Sequence, residues 1–159
     1  MASWSVFAAE APELAARVRA AFDANKHKTL ATLRRGGAPR ISGTETIFAG
    51  DDVWLGSMLH ARKAQDLLRD PRYALHSATI DPGSDPAGWP GEAKVSGRVE
   101  AVTDPDRFRS VVGPDGDPTG MHLFRCDLAE VVHTGLNDQA DKMIILFWRP
   151  GEAVRLFER

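Results

Sequence analysis

The sequence predicts one domain of the mainly β (α+β) class, a small antiparallel β-barrel with peripheral helices. About seven segments alternate in polarity as strands do, whereas about three have the residue spacing of helices. Most strand segments are separated by short turns rich in glycine, proline and aspartate, which favours hairpins over parallel crossovers. The chain has 159 residues, 43% of them hydrophobic, and no internal repeat or linker, so a single core is expected.

The first predicted element is a helix within residues 1–25, which we expect to pack on the barrel formed by residues 26–159. Pro12 suits the first turn of this helix, because an N–H at that position would have no partner within a helix. From Leu14 to Phe22 an apolar residue recurs every four positions, which places an apolar stripe on one helical face.

Three strands of a meander are predicted next. The first is Lys28–Leu33, followed by a turn over Arg35–Pro39 that contains two glycines. The second strand is the alternating run Arg40–Phe48. A turn at Gly50–Asp52 leads into the third strand, Val53–Ser57.

A short helix and a fourth strand follow the meander. His60–Asp70 has apolar residues at helical spacing, and Pro71 marks the end of the helix. Tyr73–Ile80 is the predicted strand. The segment 81–91 holds three prolines and three glycines in eleven residues, which predicts an exposed loop.

The last predicted elements are a long strand, a helix and further strands. Strict alternation predicts a strand over Ala93–Ala101. A capping aspartate and a first-turn proline predict a helix over Pro105–Val112. Strands are predicted at Phe124–Thr134 and Met143–Trp148, and a final segment follows Gly151.

Charge and hydropathy argue against two classes of partner. The 20 basic and 22 acidic residues are interspersed, so no basic face is expected that would bind nucleic acid. The longest apolar run, Met143–Trp148, has six residues, whereas a membrane span needs about 20. The N-terminus lacks the pattern of a signal peptide, and Cys126, the one cysteine, lies in an apolar stretch typical of a buried thiol. We therefore expect a cytoplasmic protein.

Four short motifs occur together in a characteristic order. They are a Gly-x-Pro hairpin (Gly37–Pro39), an Arg-Lys pair at a helix start (Arg62–Lys63), an Asp-Pro-Arg helix stop (Asp70–Arg72) and a Gly-x-x-Glu strand (Gly97–Glu100). Together they resemble the pyridoxamine 5′-phosphate oxidase-like superfamily, the FMN-binding split barrels, over residues 26–159. The resemblance implies a split β-barrel, a homodimer and a flavin-type cofactor bound between the subunits.

The segment after the third strand predicts a phosphate site. The strand ends at Ser57, and the helix that follows carries Arg62 and Lys63 in its first turn. Free amides, the positive helix end and two cations could therefore converge on one phosphate, with the Ser57 hydroxyl as a further donor. His60 directly precedes this helix and could bind the phosphate or approach the ring. The alternatives are two ordinary solvated cations and a surface histidine.

The second and third strands are expected to hold the flavin ring. The resemblance places Arg40, Ser42 and Thr44, with Met58, near the ring. The alternation of the second strand supports this, because Ser42 and Thr44 share one face and Ile41 lies on the other. The alternative is a polar sheet face turned to solvent.

The chain departs from the family pattern at three places. On the second strand, Ser42 and Ile47 stand where the family's oxidases have an arginine and a lysine. Glu92 stands where the family's oxidases supply a glutamine across the dimer to the cofactor, and a carboxylate there would be repelled by the flavin phosphate. Trp148 and Arg159 align with family residues at the cofactor and Arg155 with one at the substrate, but Phe157 replaces the substrate-binding histidine. We therefore expect a more apolar substrate than pyridoxamine 5′-phosphate.

Other residues are weaker candidates for a site. Trp89, in the loop 81–91, is a candidate lid over the substrate. The five histidines lack the close spacing of a zinc site, so no metal is expected. Some split-barrel relatives bind haem through a histidine, and His76 or His122 could serve, although the chain has no haem signature.

The sequence leaves two classes of function open. The first is a flavin-dependent oxidoreductase, a homodimer that binds FMN, or the related deazaflavin coenzyme, and transfers hydride to or from a small organic substrate. No protein nucleophile is expected. The second is a non-catalytic carrier or sensor that binds flavin or haem in the same cleft. Glu92 and Phe157 favour the second class because each removes a family contact.

Overall fold

The computed structural model describes residues 1–159 and has nine strands in one antiparallel sheet, with four α-helices around it. The helices are α1 (Trp4–Glu10), α2 (Pro12–Asp23), α3 (Arg62–Arg69) and α4 (Pro105–Val112). The strands are β1 (Lys28–Leu33), β2 (Pro39–Thr44), β3 (Thr46–Ala49), β4 (Asp52–Met58), β5 (Arg72–His76), β6 (Glu92–Ala101), β7 (Met121–Leu136), β8 (Met143–Trp148) and β9 (Arg155–Glu158). The predicted mainly β class with peripheral helices is confirmed.

The sheet curls into a barrel that has a seam. Its strand order is β2-β1-β5-β6-β7-β4-β3, with β8 paired to β7 and to β9 beside this path. β2 and β3 lie at opposite ends of the path, yet Glu45 alone separates them in the chain. The two ends of the sheet must therefore approach each other, and the barrel is split between β2 and β3. The long β7 pairs with β4 near its start and with β8 near its end.

The N-terminal segment forms two helices where one is predicted. The Ser3 hydroxyl caps α1 by accepting a hydrogen bond from the Val6 amide at 3.2 Å. Ala11 leaves the helical conformation, with φ −142°, because the ring of Pro12 disfavours helical geometry in the residue before it. The predicted helix beginning at Pro12 is present as α2.

Two predicted strands have different bounds in the structure. The run Arg40–Phe48 is interrupted at Glu45, because β2 pairs with β1 whereas β3 pairs with β4. The strand predicted at Tyr73–Ile80 ends at His76. The polar run Thr44–Thr46 interrupts the alternation of polar and apolar residues at this point, but the change of partner strand depends on the rest of the sheet.

A core of 23 buried residues lies between the sheet and the helices α1, α2 and α3. Leu14 and Phe22 are buried in it, as their spacing in α2 predicts. Cys126 is also fully buried, and burial raises the pKa of its thiol to about 12, so the predicted buried thiol is confirmed. None of the helices has the length and apolar composition needed to cross a lipid bilayer.

Candidate functional site

The barrel seam opens into a groove of about 420 Å³, which we call the seam groove. The ends of β2 and β4, the start of β7 and the first turn of α3 meet here. Its lining residues are His27, Gly43, Thr44, Glu45, Ile47, Gly56, Ser57, Met58, Lys63 and Met121. Four of the predicted site residues, Thr44, Ser57, Met58 and Lys63, therefore come together. The volume lies within the range of about 300–1,000 Å³ that is usual for small-molecule sites.

Ser57 carries a hydroxyl that has no partner. Its side-chain oxygen is hidden from solvent and makes no hydrogen bond. A buried polar atom without a partner is rare in folded proteins and indicates a missing ligand or water. The neighbouring Thr44 hydroxyl donates only a long hydrogen bond, 3.4 Å, to the carbonyl of Glu45. Both hydroxyls thus keep hydrogen-bonding capacity at the groove wall.

The first turn of α3 brings positive charge to the groove. Ala61 precedes the helix and has no side chain that caps it, so the first amides of α3 have no partner within the helix. The Lys63 side chain lies in the groove, and its Nζ donates a hydrogen bond of 2.7 Å to the carbonyl of Gly43 in β2. A cation and a positive helix end at one place form a suitable receptor for an anion.

Two other titratable residues, Glu45 and His27, line the groove together with Lys63. Burial lowers the pKa of Lys63, and the negative charge of Glu45 opposes this shift. The Glu45 carboxylate lies 3.3 Å from Nζ of Lys26 and 3.9 Å from Nδ1 of His27. Lys26, which does not line the groove, therefore balances part of the charge of Glu45.

The remaining wall of the groove is apolar. Ile47, Met58 and Met121 line it, and Met58 is 79% exposed. Gly56 leaves room for Met121, because a Cβ at Gly56 would lie 2.9 Å from the methionine methyl carbon. One polar wall and one flexible apolar wall suit a planar ligand with an anionic tail.

Arg40 does not line the groove, and it stabilises α3 through a contact with Asp66 of that helix. Its Nε is 2.6 Å from the carboxylate of buried Asp66, which also accepts hydrogen bonds from Thr32 at 2.9 Å and Arg69 at 3.0 Å. Burial alone would raise the pKa of Asp66, but the hydrogen bonds from Arg40, Arg69 and Thr32 lower it overall. This cluster joins the helix that carries Lys63 to β1 and β2.

The other predicted cofactor residues next to the groove do not line it. Arg62 and His60 are exposed around the start of α3, and Ser42 is half-buried in β2. Arg62 makes no ion pair or hydrogen bond through its side chain. These three side chains are therefore free to meet a ligand that extends beyond the groove.

The remaining candidates lie apart from the groove. The Glu92 carboxylate is 3.6 Å from Nε2 of His76. Trp148 is fully buried and donates an indole hydrogen bond of 3.1 Å to Glu10, so it cannot contact a ligand in this arrangement. The Arg155 guanidinium lies 4.3 Å from the centre of the Phe147 ring.

Three more predicted site residues, Arg159, Trp89 and His122, also lie outside the groove lining. The Arg159 backbone pairs with Met143 at the edge of the sheet. Trp89 lines a different cavity. The ring of His122 lies 6.0 Å from that of Phe124. No group of three or more His, Cys, Asp or Glu side chains is close enough to hold a metal ion.

Six lining residues of the groove are not among the predicted site residues: His27, Gly43, Glu45, Ile47, Gly56 and Met121. They come from segments that meet only because the barrel closes and because β4 pairs with β7. The signal that could have indicated the break is the polar run Thr44–Thr46, which places Glu45 on the same strand face as Ile41 and Ile47.

The family model described as pyridoxamine 5′-phosphate oxidase matches residues 14–134 of the chain. This range includes the whole seam groove and the cluster around Asp66. No curated protein matches the chain.

Solved structures share the fold at low sequence identity. An FMN-binding protein from Nostoc punctiforme, related to pyridoxamine 5′-phosphate oxidase, has 13% identity and a TM-score of 0.60, over 100% of this chain and 97% of that one. A heme-binding protein from Mycobacterium smegmatis has 20% identity and a TM-score of 0.55, over 82% of this chain and 57% of that one. A protein named F420 reductase has 19% identity and a TM-score of 0.51, over 72% of this chain and 94% of that one. The chain thus spans little more than half of the heme-binding protein, and at these identities the likenesses establish the fold alone.

Proposed function

The chain belongs to the pyridoxamine 5′-phosphate oxidase family, and from this premise we propose that it is a flavin-dependent oxidoreductase. In this proposal it binds FMN in the seam groove as a homodimer, and it transfers hydride to or from a small organic substrate. The observation that carries the proposal is the pairing of Lys63 with the unpartnered Ser57 hydroxyl beside the uncapped start of α3.

The phosphate of FMN fits the polar end of the groove. Lys63 supplies the charge, the first amides of α3 supply donors, and the Ser57 hydroxyl gains an acceptor. Arg62 and His60, exposed at the same helix start, are the next residues within reach of a phosphate. The Lys63–Gly43 hydrogen bond holds the ammonium at the groove in advance, which lowers the entropy cost of binding.

The flavin ring fits the apolar end of the groove. Met58, Ile47 and Met121 provide contacts to a flat aromatic surface and exclude water from it, while Thr44 offers a hydroxyl at the edge. When bound, FMN supplies the hydride chemistry. The side chains bind the cofactor and orient it, and no residue of the groove needs to act as a nucleophile.

A homodimer explains why several candidate residues lie away from the groove. Glu92 and Arg159 would reach a cofactor, and Trp89 and Arg155 its substrate, only from a second copy of the chain. An exposed face of β2, β1 and β5 supports such a pairing, because Ile41, Ala31 and Ala74 are paired side by side across the three strands. Ile41 is 73% exposed, which is unusual for isoleucine outside an interface.

The substrate is proposed to be a small organic molecule other than pyridoxamine 5′-phosphate. Phe157 is 43% exposed on β9, where it offers an apolar contact in place of a histidine. The deazaflavin coenzyme and haem are the alternative ligands of the same cleft.

Absorbance spectra of the purified protein, followed by titration with FMN, the deazaflavin coenzyme and haemin, test this proposal. We expect FMN to bind with a saturable change in flavin fluorescence. Lys63→Gln should weaken FMN binding about 10- to 100-fold, because it removes a charge-assisted contact, and Ser57→Ala should weaken it less.

Arg35→Gln is the matched control, because it removes one positive charge from an exposed turn outside the groove. It should leave the FMN affinity unchanged. If the deazaflavin or haemin binds more tightly than FMN, that ligand takes the place of FMN in the proposal. If Lys63→Gln and wild type bind FMN with equal affinity, the seam groove is not the FMN site.

A further inference from the structure

A second cavity, of about 380 Å³, lies at the end of β7 that is far from the seam groove. Met121 at the start of β7 lines the groove, whereas His133 near its end lines the cavity. The two share no residue. The polar side chains around the second cavity come from α2, from the loop before β6, from the end of β7 and from the turn after it: Arg17, Trp89, His133, Asn137 and Asp138.

His133 is held in the wall of this cavity by two glycines. A Cβ at Gly91 would lie 2.7 Å from Nε2 of the ring, and a Cβ at Gly135 would lie 2.8 Å from Cε1, so only glycine leaves space for the imidazole. Nε2 lies 2.9 Å from the carbonyl of Pro90 and donates to it. In the neutral ring Nδ1 is then an acceptor, and it has no partner.

His133 stays neutral at physiological pH. Burial lowers its pKa, the hydrogen bond to Pro90 opposes that shift, and the positive charge of Arg17 lowers the pKa further. Arg17 and His133 line the same cavity. A neutral His133 therefore offers a fixed acceptor rather than a positive charge.

Two opposite charges line the cavity without pairing. Arg17 and Asp138 make no side-chain hydrogen bond and no ion pair, either with each other or with another residue. Arg19, two residues further along α2, differs because it pairs with Asp23 at 2.6 Å. The amide of Asn137 is occupied, since it donates to Asp141 at 2.6 Å.

Trp89 adds a further unsatisfied group. Its indole nitrogen is hidden from solvent and has no hydrogen-bond partner. The loop therefore leaves one buried donor beside a cavity that also contains a free acceptor and two free charges of opposite sign.

We propose that this second cavity binds a small zwitterion, with the chemistry of a free α-amino acid. The carboxylate of the ligand pairs with Arg17, and its ammonium pairs with Asp138 and donates to Nδ1 of His133. A simple anion would pair with Arg17 but would be repelled by the carboxylate of Asp138. A simple cation would pair with Asp138 but would be repelled by the guanidinium of Arg17. This inference does not depend on the flavin site, because the two cavities have no residue in common.

Titration of the ¹⁵N-labelled full chain with L-alanine, followed by NMR, tests the proposal. The Trp89 indole resonance is identified by its loss in Trp89→Phe, and the other three tryptophan indoles report whether that variant is folded. We expect L-alanine to shift the Trp89 resonance in a saturable way. Acetate and ethylammonium, which each carry one half of the zwitterion, should bind at least about tenfold more weakly.

Variants of the two charges provide the decisive comparison. Arg17→Gln and Asp138→Asn should each weaken alanine binding about tenfold or more, and Arg19→Gln, on the same helix, should leave it unchanged. Equilibrium dialysis with labelled alanine gives the same answer if Trp89→Phe does not fold. The proposal is overturned if no saturable binding is seen, if acetate binds as well as alanine, or if Arg17→Gln binds like wild type.

Discussion

At the scale of single residues, Lys63 matters most for the proposed cofactor site. It is the one lysine or arginine that lines the seam groove, and its ammonium is already bonded to Gly43. Burial lowers its pKa because the charged form loses water. A bound phosphate restores the lost stabilisation of the ammonium, so binding and protonation of Lys63 are linked.

FMN affinity should fall as the pH rises through the alkaline range. Protonated Lys63 binds the phosphate, and its lowered pKa makes the loss of charge begin below the value of about 10.4 of an ordinary lysine. Fluorescence titrations of FMN at a series of pH values measure this. Lys63→Gln should bind FMN more weakly and lack this part of the pH dependence. An unchanged pH profile in that variant would show that Lys63 is not the titrating group.

Asp66 is the residue that holds α3 in place. Its net pKa is lowered, so the folded state binds the proton less tightly than the unfolded state does. The stabilisation is therefore complete above the unfolded pKa of about 3.9 and is lost as the pH falls through the lower folded pKa.

Asp66→Asn should lower the free energy of unfolding by about 2–3 kcal/mol at neutral pH, because it leaves Arg40 and Arg69 without their buried carboxylate. Urea unfolding at several pH values is the measurement. The difference from wild type should shrink as the pH falls through the lowered pKa of Asp66, since wild-type Asp66 is then protonated too. Asp23→Asn, which breaks an exposed pair, should show no comparable loss at neutral pH.

At the scale of elements, the pairing of β6 with β7 is the clearest case of sequence dictating geometry. The register shifts between Ser96 and Gly97, where β7 contributes an extra residue. A Cβ at Gly97 would lie 1.9 Å from the backbone oxygen of Asp127, which no real side chain tolerates. The glycine of the Gly-x-x-Glu motif is thus required by close backbone contact.

Gly97→Ala should destabilise the protein by about 3 kcal/mol or more, since the clash is with backbone and cannot be relieved by a rotamer change. Thermal or urea unfolding measures the loss. Gly36→Ala is the matched control, because a Cβ there meets nothing within 4 Å. Similar stability of both variants would mean that the β6–β7 bulge can move.

At the scale of the whole molecule, the outer face of β2, β1 and β5 is the most informative surface. Ile41, Ala31 and Ala74 form an apolar row across it. Elsewhere on the molecule, β9 also carries exposed apolar side chains: Leu156 is 58% exposed and Phe157 is 43% exposed. Such surfaces on a small domain favour association with a second copy.

Ile41→Lys should shift the proposed homodimer toward monomer, because it would bury a charge at the β2 end of the apolar row, at its most exposed large side chain. Light scattering after size-exclusion chromatography measures the mass directly. Val6→Lys changes an exposed apolar residue on α1 and should leave the mass unchanged. A monomeric wild type, or an Ile41→Lys variant with the mass of a dimer, would exclude this face as the interface.

The sequence by itself determines the fold class, most element positions and the polar side of the site. Alternation and turn residues are local properties, so β1, β4, β6 and the helix that carries Lys63 follow from them. Ser57 and Lys63 line the same groove for the same reason, since one strand-to-helix connection contains both.

Only the tertiary structure decides which groups remain free for a ligand. Arg40 is used by Asp66, Trp148 is buried under α1, and Glu45 interrupts a strand because the barrel closes at that point. Each of these outcomes depends on contacts between segments far apart in the chain. The sequence specifies the type of each side chain, whereas long-range packing determines which group that side chain contacts.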